Sequence, residues 1–306
     1  MTKGRFAPSP TGRMHLGNVF SALLSWLSAK SQDGQWLLRI EDIDPQRSRR
    51  EYALWLMDDL QWLGLAWDGD PVWQSQRSDI YEHYFRQLQS QHLTYPCYCT
   101  RADLLATQAP HESDGRVVYA GTCRHRPPQP GAAAATRLIV PDGDVTFTDG
   151  HYGQQTVNLA RHVGDFIIRR KDGAWAYQLA VVVDDALTGV TEVVRGRDLL
   201  LSSPQQLYVA QLLGFPPLHF THLPLLCNEA GQRLSKRDSS LDMGSLRSHC
   251  SPADIIGFLA FTAGLVPEPQ PLSANELIAH FSWDKVPRHD IVIGRSIESL
   301  EQKYKE

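Results

Sequence analysis

The first 95 residues alternate between short apolar runs and helical patterns, and this alternation constrains the fold more than any other feature. A short apolar piece at Arg5-Phe6-Ala7 is followed by a turn rich in proline and glycine, then by a helical pattern from His15 to Lys30. A compact strand is predicted at 36–40, and further helices from about Arg49 to Leu63 and from about Ser78 to Gln91. This order is typical of a parallel sheet covered by helices, so we predict an α/β fold.

A loop-rich segment interrupts the periodic pattern after about Tyr95. Three cysteines, several prolines and a run of four alanines follow, which is typical of an insertion. Beyond Arg237 the pattern becomes helical, with capping signals at Ser251-Pro252 and Ser273-x-x-Glu276. We predict strands for the apolar runs at 137–140, 165–168, 179–183 and 190–194, and a helix that ends at Leu213.

Composition excludes several classes of protein. No stretch approaches the ~18 apolar residues of a membrane span, and the N-terminal residues lead into no hydrophobic core of a secretory signal, so we expect a cytoplasmic protein. A formal charge of −4 argues against a protein coated in nucleic acid but permits a local basic groove. Five cysteines without a secretory context indicate thiols or metal ligands rather than disulfides.

Two motifs point to phosphate chemistry. The turn from Pro8 to Gly12 delivers His15 and Gly17 to the first turn of a helix, where unpaired backbone N–H groups attract anions. Far along the chain, the segment from Arg233 to Arg237 places three cations on a loop rich in glycine and serine, which suits a clamp over a polyphosphate. Taken singly, the first could be a turn with an exposed histidine and the second a solvated basic turn.

Together the motifs resemble the paired signatures of class I aminoacyl-tRNA synthetases. The stretches at 5–12, 38–44 and 192–196 are similar to those of bacterial glutamyl-tRNA synthetases. The similarity runs in one order from about residue 4 to residue 240. Only residues 241–306 follow it, which is too few for a large anticodon-reading region. The chain therefore resembles the glutamyl-queuosine tRNA(Asp) synthetase family, whose members attach glutamate to the queuosine base at the wobble position of tRNA(Asp). Asn18 stands where many class I enzymes have a second histidine, so its role is open.

The resemblance implies a fold and a division of the chain. The fold is a Rossmann-like parallel sheet with an inserted zinc-containing α+β subdomain and a small C-terminal helical extension. The implied parts are the first half of the catalytic domain at 1–95, an inserted zinc or acceptor-type subdomain at 96–176, the second catalytic half with the Leu-Ser-Lys-Arg loop at 177–240, and a helical stem-contact-like extension at 241–306, without an anticodon-binding domain.

A glutamate pocket needs two cationic or strongly donating sites for two carboxylates and one anion for the ammonium. Arg5 and Arg195 can each grip a carboxylate as a fork, which lysine cannot do. Glu41 suits the ammonium, and Tyr177 suits a carboxylate oxygen. The resemblance implies that the L-glutamate site consists of these four residues together with Ala7 and Ser9.

Several alternatives remain open for these residues. Arg195 could be a solvated charge, and a lone tyrosine such as Tyr177 is more often a core residue. Asp42 and Asp44 compete with Glu41, or could cap the following helix. The sequence also does not decide which arginine takes the side-chain carboxylate.

Activation of glutamate brings two anions together, so positioning and charge neutralisation must dominate. We assign His15 to the charge that develops on the α-phosphate and Lys236 to the β- and γ-phosphates, with Mg²⁺ bound to ATP. No covalent nucleophile is needed. The ATP-binding residues that follow from the resemblance are His15, Gly17, Asn18 and Lys236.

The sequence shows no reader for the queuosine base of tRNA(Asp). The insertion and the basic segment 46–50 are candidates for backbone contacts, although a charge run is usually a solvated face. We expect a monomer that binds L-glutamate, ATP and tRNA(Asp) bearing queuosine, and no membrane.

Three thiols, Cys97, Cys99 and Cys123, are close enough in sequence to hold zinc with a fourth ligand, or to remain as reduced thiols. The spacing leaves the fourth ligand open among Tyr119, His111 and His125. The resemblance implies Tyr119, because the sequence from Tyr119 to Cys123 is similar to the family's Tyr-x-x-x-Cys element, with His125 second. Such a zinc ion would be structural, because four protein ligands leave no open position.

Two other functions compete with this hypothesis. A minimal glutamyl-tRNA synthetase could still charge a tRNA 3′ end, and an inactive paralogue could bind RNA without catalysis. A glutaminyl enzyme fits less well, because two arginines suit a second carboxylate better than an amide.

Overall fold

The computed structural model describes residues 1–106, 118–234 and 241–293. In the first part the elements are β1 (Lys3–Phe6), α1 (Leu16–Lys30), β2 (Gln35–Ile40), α2 (Arg50–Trp62), β3 (Val72–Trp73), α3 (Ser78–Ser90), β4 (Thr94–Cys97) and α4 (Arg101–Ala106). In the second part they are β5 (Ala135–Leu138), β6 (Asp144–Asp149), β7 (Gly153–Asn158), α5 (Leu159–His162), β8 (Phe166–Arg169), α6 (Tyr177–Leu187), β9 (Glu192–Gly196), α7 (Ser202–Leu213), β10 (His219–Leu223) and β11 (Leu226–Cys227). In the third part they are α8 (Met243–Arg247), α9 (Pro252–Thr262), α10 (Ala274–Leu277) and β12 (Ile291–Val292).

The predicted parallel strands are confirmed. β1 pairs in parallel with β2, β2 with β3, and β9 with β10. β9 lies alongside β1, because the backbone N–H of Thr191 donates to the carbonyl of Lys3 at 2.9 Å. The carboxyl ends of β1, β2 and β9 therefore meet at one edge, where α/β sheets bind ligands.

Helix α1 begins at the motif that the sequence analysis singled out. His15 is the N-cap, and its Nδ1 accepts from the N–H of Gly17 at 3.1 Å. Asn18 Oδ1 in turn accepts from the N–H of His15 at 3.1 Å, so this pair of side chains closes the first turn as a capping box. Asn18 thus has a structural role at the position where its role was open. The rest of α1 is almost entirely buried and belongs to the largest core cluster.

One predicted strand is wrong. The apolar run at 179–183 lies in helix α6, not in a strand. A continuous apolar run fits a buried helix as well as a buried strand, and periodicity cannot separate the two. Here α6 packs against α3 and α7, so several of its sides are apolar. Asp184 and Asp185 continue the helix and are fully buried.

The middle of the chain contains antiparallel structure. β5 pairs with β4 on one side and β8 on the other, and β6 forms a hairpin with β7. The predicted limits of the insertion, 96 and 176, stay a prediction.

The predicted caps at Ser251 and Ser273 are confirmed. Each hydroxyl accepts from a backbone N–H three residues later, and each cap has a reciprocal carboxylate. Residues of α9 and α10 share the core cluster of α1. No helix within the described ranges is both long and apolar enough to cross a membrane.

Candidate active site

One cavity of about 480 Å³ lies at the carboxyl ends of β1, β2 and β9. It gathers every predicted glutamate and ATP residue that the structure describes. These residues are Arg5, Ala7, Ser9, His15, Gly17, Asn18, Glu41, Tyr177 and Arg195. Lys236 lies outside the described residues, but Leu234 lines the same cavity. The structure therefore brings together side chains that the sequence separates by up to 190 positions.

Arg5 enters the cavity from the end of β1 and is buried. Its Nε lies 3.3 Å from Oδ1 of Asp185, and Nη1 donates to the carbonyl of Val194 at 3.4 Å. Asp185 also accepts from Arg39 Nη1 at 2.5 Å. Burial would raise the pKa of Asp185, but the charges of Arg39 and Arg5 lower it overall. Arg5 is therefore held in place by a carboxylate that stays ionised.

Arg195 enters from β9, is only 5% exposed, and has a different environment. Among residues 1–106, 118–234 and 241–293, no carboxylate lies within ion-pair distance of its guanidinium group. Burial lowers its pKa. A buried cation without a counter-ion favours an anionic ligand. Its acceptors are all neutral: Ser203 Oγ (2.8 Å), Gln206 Oε1 (2.9 Å), His222 Nε2 (3.2 Å), Tyr177 Oη (3.3 Å) and the Leu199 carbonyl (3.4 Å).

Glu41 follows β2 and lines the cavity beside Arg39. Its Oε1 accepts from Arg39 Nη2 at 3.1 Å. Burial raises the pKa of Glu41, against the lowering effect of Arg39 and Arg5. Asp42 instead accepts from the N–H and hydroxyl of Ser75.

Asp44 does not cap the following helix either. It accepts from the side chains of Arg47 and Arg170. Helix α2 has Arg49 at its N-cap position and no side-chain cap. Of the three carboxylates after β2, Glu41 is therefore the one that lines this cavity together with Arg5 and Arg195.

His15 and Gly17 form the other end of the cavity. Because His15 Nδ1 accepts from the N–H of Gly17, the proton of the neutral ring is on Nε2. A Cβ atom at Gly17 would lie 3.1 Å from two atoms of the His15 ring, so a side chain at this position would crowd the ring. The Nε2–H of His15 and the N-terminus of α1 then lie together, and both favour the binding of a phosphate group.

The predicted zinc ligands form a separate cluster near β4. The sulfur atoms of Cys97, Cys99 and Cys123 all lie within 4.8 Å of one another. The phenol oxygen of Tyr119 lies 3.5 Å from Cys97 Sγ and 3.8 Å from Cys99 Sγ. Of the other candidates, His125 is exposed and His111 lies outside the described residues. Three thiols and one phenol oxygen at these distances fit a tetrahedral zinc site.

The protonation of this cluster is uneven. Burial raises the pKa of the Cys99 thiol to about 11. For Cys123, burial acts in the same direction, but hydrogen bonds from the backbone of Tyr98 and from Tyr119 outweigh it and lower the pKa to about 7. The guanidinium of Arg137 lies 3.6 Å from the centre of the Tyr119 ring. A thiol with a lowered pKa loses its proton readily, as a metal ligand must.

Comparison with known proteins identifies the family. Residues 1–253 match the class I tRNA synthetases (E and Q), catalytic domain. A glutamyl-Q tRNA(Asp) synthetase of Nitratidesulfovibrio vulgaris is 44% identical over 97% of this chain and 97% of its own length. Another, of Neisseria meningitidis serogroup C, is 43% identical over 95% of this chain and 99% of its own. This chain belongs to the glutamyl-Q tRNA(Asp) synthetase family.

Solved structures of glutamate enzymes share the fold of this glutamyl-Q tRNA(Asp) synthetase family member. A glutamate tRNA ligase from Elizabethkingia meningosepticum, in complex with its amino acid, has a TM-score of 0.82 and 28% identity, covering 99% of this chain and 68% of that one. A glutamate-tRNA synthetase from Elizabethkingia anophelis has a TM-score of 0.83 and 26% identity, covering 99% and 70%. The predicted class I synthetase type of α/β fold is confirmed.

The second motif of this family member borders the cavity. The backbone N–H of Leu234 donates to the carbonyl of Leu226 at 2.9 Å, and Arg233 forms an ion pair with Asp198 at the surface. Ser235, Lys236 and Arg237 lie outside the described residues, so the assignment of Lys236 stays a prediction.

Sequence reasoning missed several buried residues that contact Arg5, Arg195 or the partners of these two arginines. Arg39 and Asp185 stand within apolar runs, and a charged residue at such a position signals a buried partner. His222 and Asp149 gave no such signal, because the contact of His222 with Arg195 and that of Asp149 with His222 arise only in the tertiary structure.

Proposed function

We propose that this protein activates L-glutamate with ATP and transfers it to the queuosine base of tRNA(Asp). The observation that carries the proposal is Arg195, a buried cation without a carboxylate partner among the described residues, facing the cavity that Arg5 also enters. A ligand with two carboxylates and one ammonium matches two guanidinium groups and one carboxylate, Glu41. Family membership supports the same reaction.

The roles of the site residues follow from this arrangement. Arg5 and Arg195 bind the two glutamate carboxylates, with Tyr177 donating to one of them. Glu41 binds the ammonium, while Ala7 and Ser9 form the wall beside β1. His15, Gly17 and Asn18 form the ATP end, since the turn that they close places the Nε2–H donor of His15 at a helix N-terminus, which favours phosphate.

In the first step an oxygen of the glutamate α-carboxylate attacks the α-phosphorus of ATP. A carboxylate–phosphorus bond forms, the bond to the β-phosphate bridge breaks, and pyrophosphate leaves. His15 donates from Nε2 to the α-phosphate oxygens, and Lys236 neutralises the β- and γ-phosphates. Mg²⁺ bound with ATP supplies further charge neutralisation. In the second step a hydroxyl of the queuosine cyclopentenediol attacks the glutamyl carbonyl, and AMP leaves.

The remaining parts support this chemistry. Residues 1–95 and 177–240 form the catalytic domain, with 96–176 inserted and 241–306 as a helical extension. Cys97, Cys99, Tyr119 and Cys123 hold a structural zinc ion in the insertion, since their donor atoms already lie within reach of a single metal.

The test is transfer of labelled glutamate to purified tRNA(Asp) with and without queuosine. Transfer only to the queuosine-containing tRNA is expected. Labelling of a 3′ end instead would favour a minimal glutamyl-tRNA synthetase. Absence of glutamate-dependent ATP–pyrophosphate exchange would identify an inactive paralogue.

A further inference from the structure

A chain of three buried side chains connects the hairpin β6–β7 to the substrate cavity. Asp149 ends β6, His222 lies on β10, and Arg195 lies opposite His222 in the parallel pairing of β10 with β9. Oδ2 of Asp149 lies 2.6 Å from Nδ1 of His222, and Nε2 of His222 lies 3.2 Å from Nε of Arg195. His222 has no exposed surface, and the other two are at most 5% exposed.

The chemistry of arginine fixes where the proton of His222 is. A guanidinium group only donates hydrogen bonds, so the Nε–H of Arg195 requires an acceptor at Nε2 of His222. The proton of the neutral ring is therefore on Nδ1, where it is donated to Asp149. Oδ1 of Asp149 also accepts from the N–H groups of His151 and Tyr152, at 3.0 Å and 2.9 Å.

The electrostatics agree with this tautomer. Burial lowers the pKa of His222, and the charge of Arg195 adds to this effect, while the hydrogen bond to Asp149 opposes it. Hydrogen bonds from His222 and two backbone N–H groups lower the pKa of Asp149, although burial opposes them. At neutral pH the pair is thus an ionised carboxylate and a neutral imidazole.

We propose that His222 and Asp149 are positioning residues for the substrate arginine. Asp149 fixes His222 as the Nδ1–H tautomer, and His222 then aims the guanidinium of Arg195 into the cavity. The inference rests on the proposed glutamate site, and it assigns part of glutamate affinity to the hairpin β6–β7, which lines no part of that cavity.

A neutral acceptor such as His222 orients the guanidinium of Arg195 for an anionic ligand better than an anionic acceptor would. A carboxylate at the place of His222 would hold Arg195 equally well but would offset its charge, whereas the single charge of Asp185 is shared between Arg5 and Arg39. Ser203 and Gln206, the nearest other side chains on Arg195, are neutral as well. Arg195 is therefore oriented while its charge stays available for a substrate carboxylate.

Two substitutions of His222 separate its two hydrogen bonds. His222→Asn can keep a donor near Asp149 but loses the acceptor for Arg195. His222→Gln reaches as far as Nε2 and can offer its amide oxygen to Arg195. We expect the KM for glutamate in ATP–pyrophosphate exchange to rise about tenfold in H222N, because a buried donor loses its partner. In H222Q most of the affinity should return, and the KM for ATP should stay within about twofold in both.

Asp149→Asn tests the tautomer. An amide can donate to Nδ1, which favours the tautomer whose proton is on Nε2 and points at Arg195. The KM for glutamate should again rise, with the KM for ATP unchanged. Circular dichroism checks that each variant is folded.

Nitrogen-15 NMR of labelled wild-type protein reads the tautomer without any substrate. A protonated Nδ1 and an unprotonated Nε2 at His222 are expected, and the reverse tautomer would overturn the inference. So would a KM for glutamate in H222N or D149N within about twofold of wild type. A wild-type protein without glutamate-dependent exchange would instead overturn the proposed function, so the two failures are distinguishable.

Discussion

Asp185 of α6 and Arg5 of β1, which are 180 positions apart in the chain, form a buried ion pair with 3.3 Å between Oδ1 and Nε. Arg39 binds the same oxygen from β2. One carboxylate therefore holds two cations at the edge of the sheet. Helix α6 lines the cavity through Tyr177, although Asp185 itself does not line it.

Asp185→Asn should destabilise the protein by about 3–5 kcal/mol, because it leaves the buried guanidinium group of Arg5 without its carboxylate partner. Urea unfolding measures the change. Asp172→Asn is the matched control: Asp172 pairs with Arg170 at the surface, and exposed pairs contribute at most about 1 kcal/mol. Equal unfolding midpoints in the two variants would contradict the structural role of Asp185.

Arg195→Lys should weaken glutamate binding by roughly 10- to 100-fold, because a lysine loses the fork geometry and charged hydrogen bonds are each worth about 1.5–3 kcal/mol. Titration calorimetry with L-glutamate measures the dissociation constant. Arg197→Lys serves as the control, since Arg197 lies two residues away but pairs with Asp290 outside the cavity. An unchanged constant in R195K would place glutamate elsewhere.

Lys236→Ala should reduce glutamate-dependent ATP–pyrophosphate exchange by roughly 10²–10³-fold, the usual cost of losing one charge-stabilising donor. The fold should be intact, as checked by circular dichroism. The control is Lys171→Ala, at an exposed turn after β8, for which we expect the wild-type rate of ATP–pyrophosphate exchange. If K236A also catalyses ATP–pyrophosphate exchange at the wild-type rate, Lys236 has no part in the activation of glutamate.

Metal analysis should find about one zinc ion per chain, and a chelator should lower the Tm, because a structural metal contributes folding free energy. Cys123→Ser should lower both zinc content and Tm, and Tyr119→Phe should weaken zinc retention by removing one ligand oxygen. Cys250→Ala, a buried cysteine outside the cluster, should keep its zinc. Full zinc retention in Y119F would leave His125 as the alternative ligand.

Glu192 should make stability depend on pH. It is buried with one hydrogen bond, from Ser28 at 2.9 Å, and burial raises its pKa. The folded state then binds a proton more tightly than the unfolded state, so this carboxyl destabilises the protein as the pH rises above its unfolded pKa of about 4.3. Glu192→Gln should be more stable than wild type at about pH 7.5, and the difference should shrink towards about pH 4.5.

Urea unfolding at both pH values measures this effect. Glu229→Gln is the control, because Glu229 is exposed and should show the same stability as wild type at both. If Glu192→Gln is less stable than wild type at about pH 7.5, the ionised carboxylate of Glu192 is favourable where it lies.

The sequence predicted the parallel strands and most helix limits for a common reason. Periodic apolar positions report burial along one element, and turn residues report where it ends. Parallel strands share one carboxyl edge, so Arg5, Glu41 and Arg195 could be placed together without knowing their contacts. The same reasoning failed at 179–183, because an evenly apolar run carries no periodicity to separate helix from strand.

The amino-acid sequence by itself predicted that Arg5, Glu41 and Arg195 lie at one edge of the sheet, and the structure brings these candidates to one cavity. Only the tertiary structure decided that Arg5 pairs with Asp185, that Arg195 has neutral acceptors, and that Asp149 reaches Arg195 through His222. The reason is the distance along the chain over which each property is decided. Local propensity depends on neighbours a few residues apart, whereas the charge state of a buried group depends on whichever distant side chains the fold packs around it.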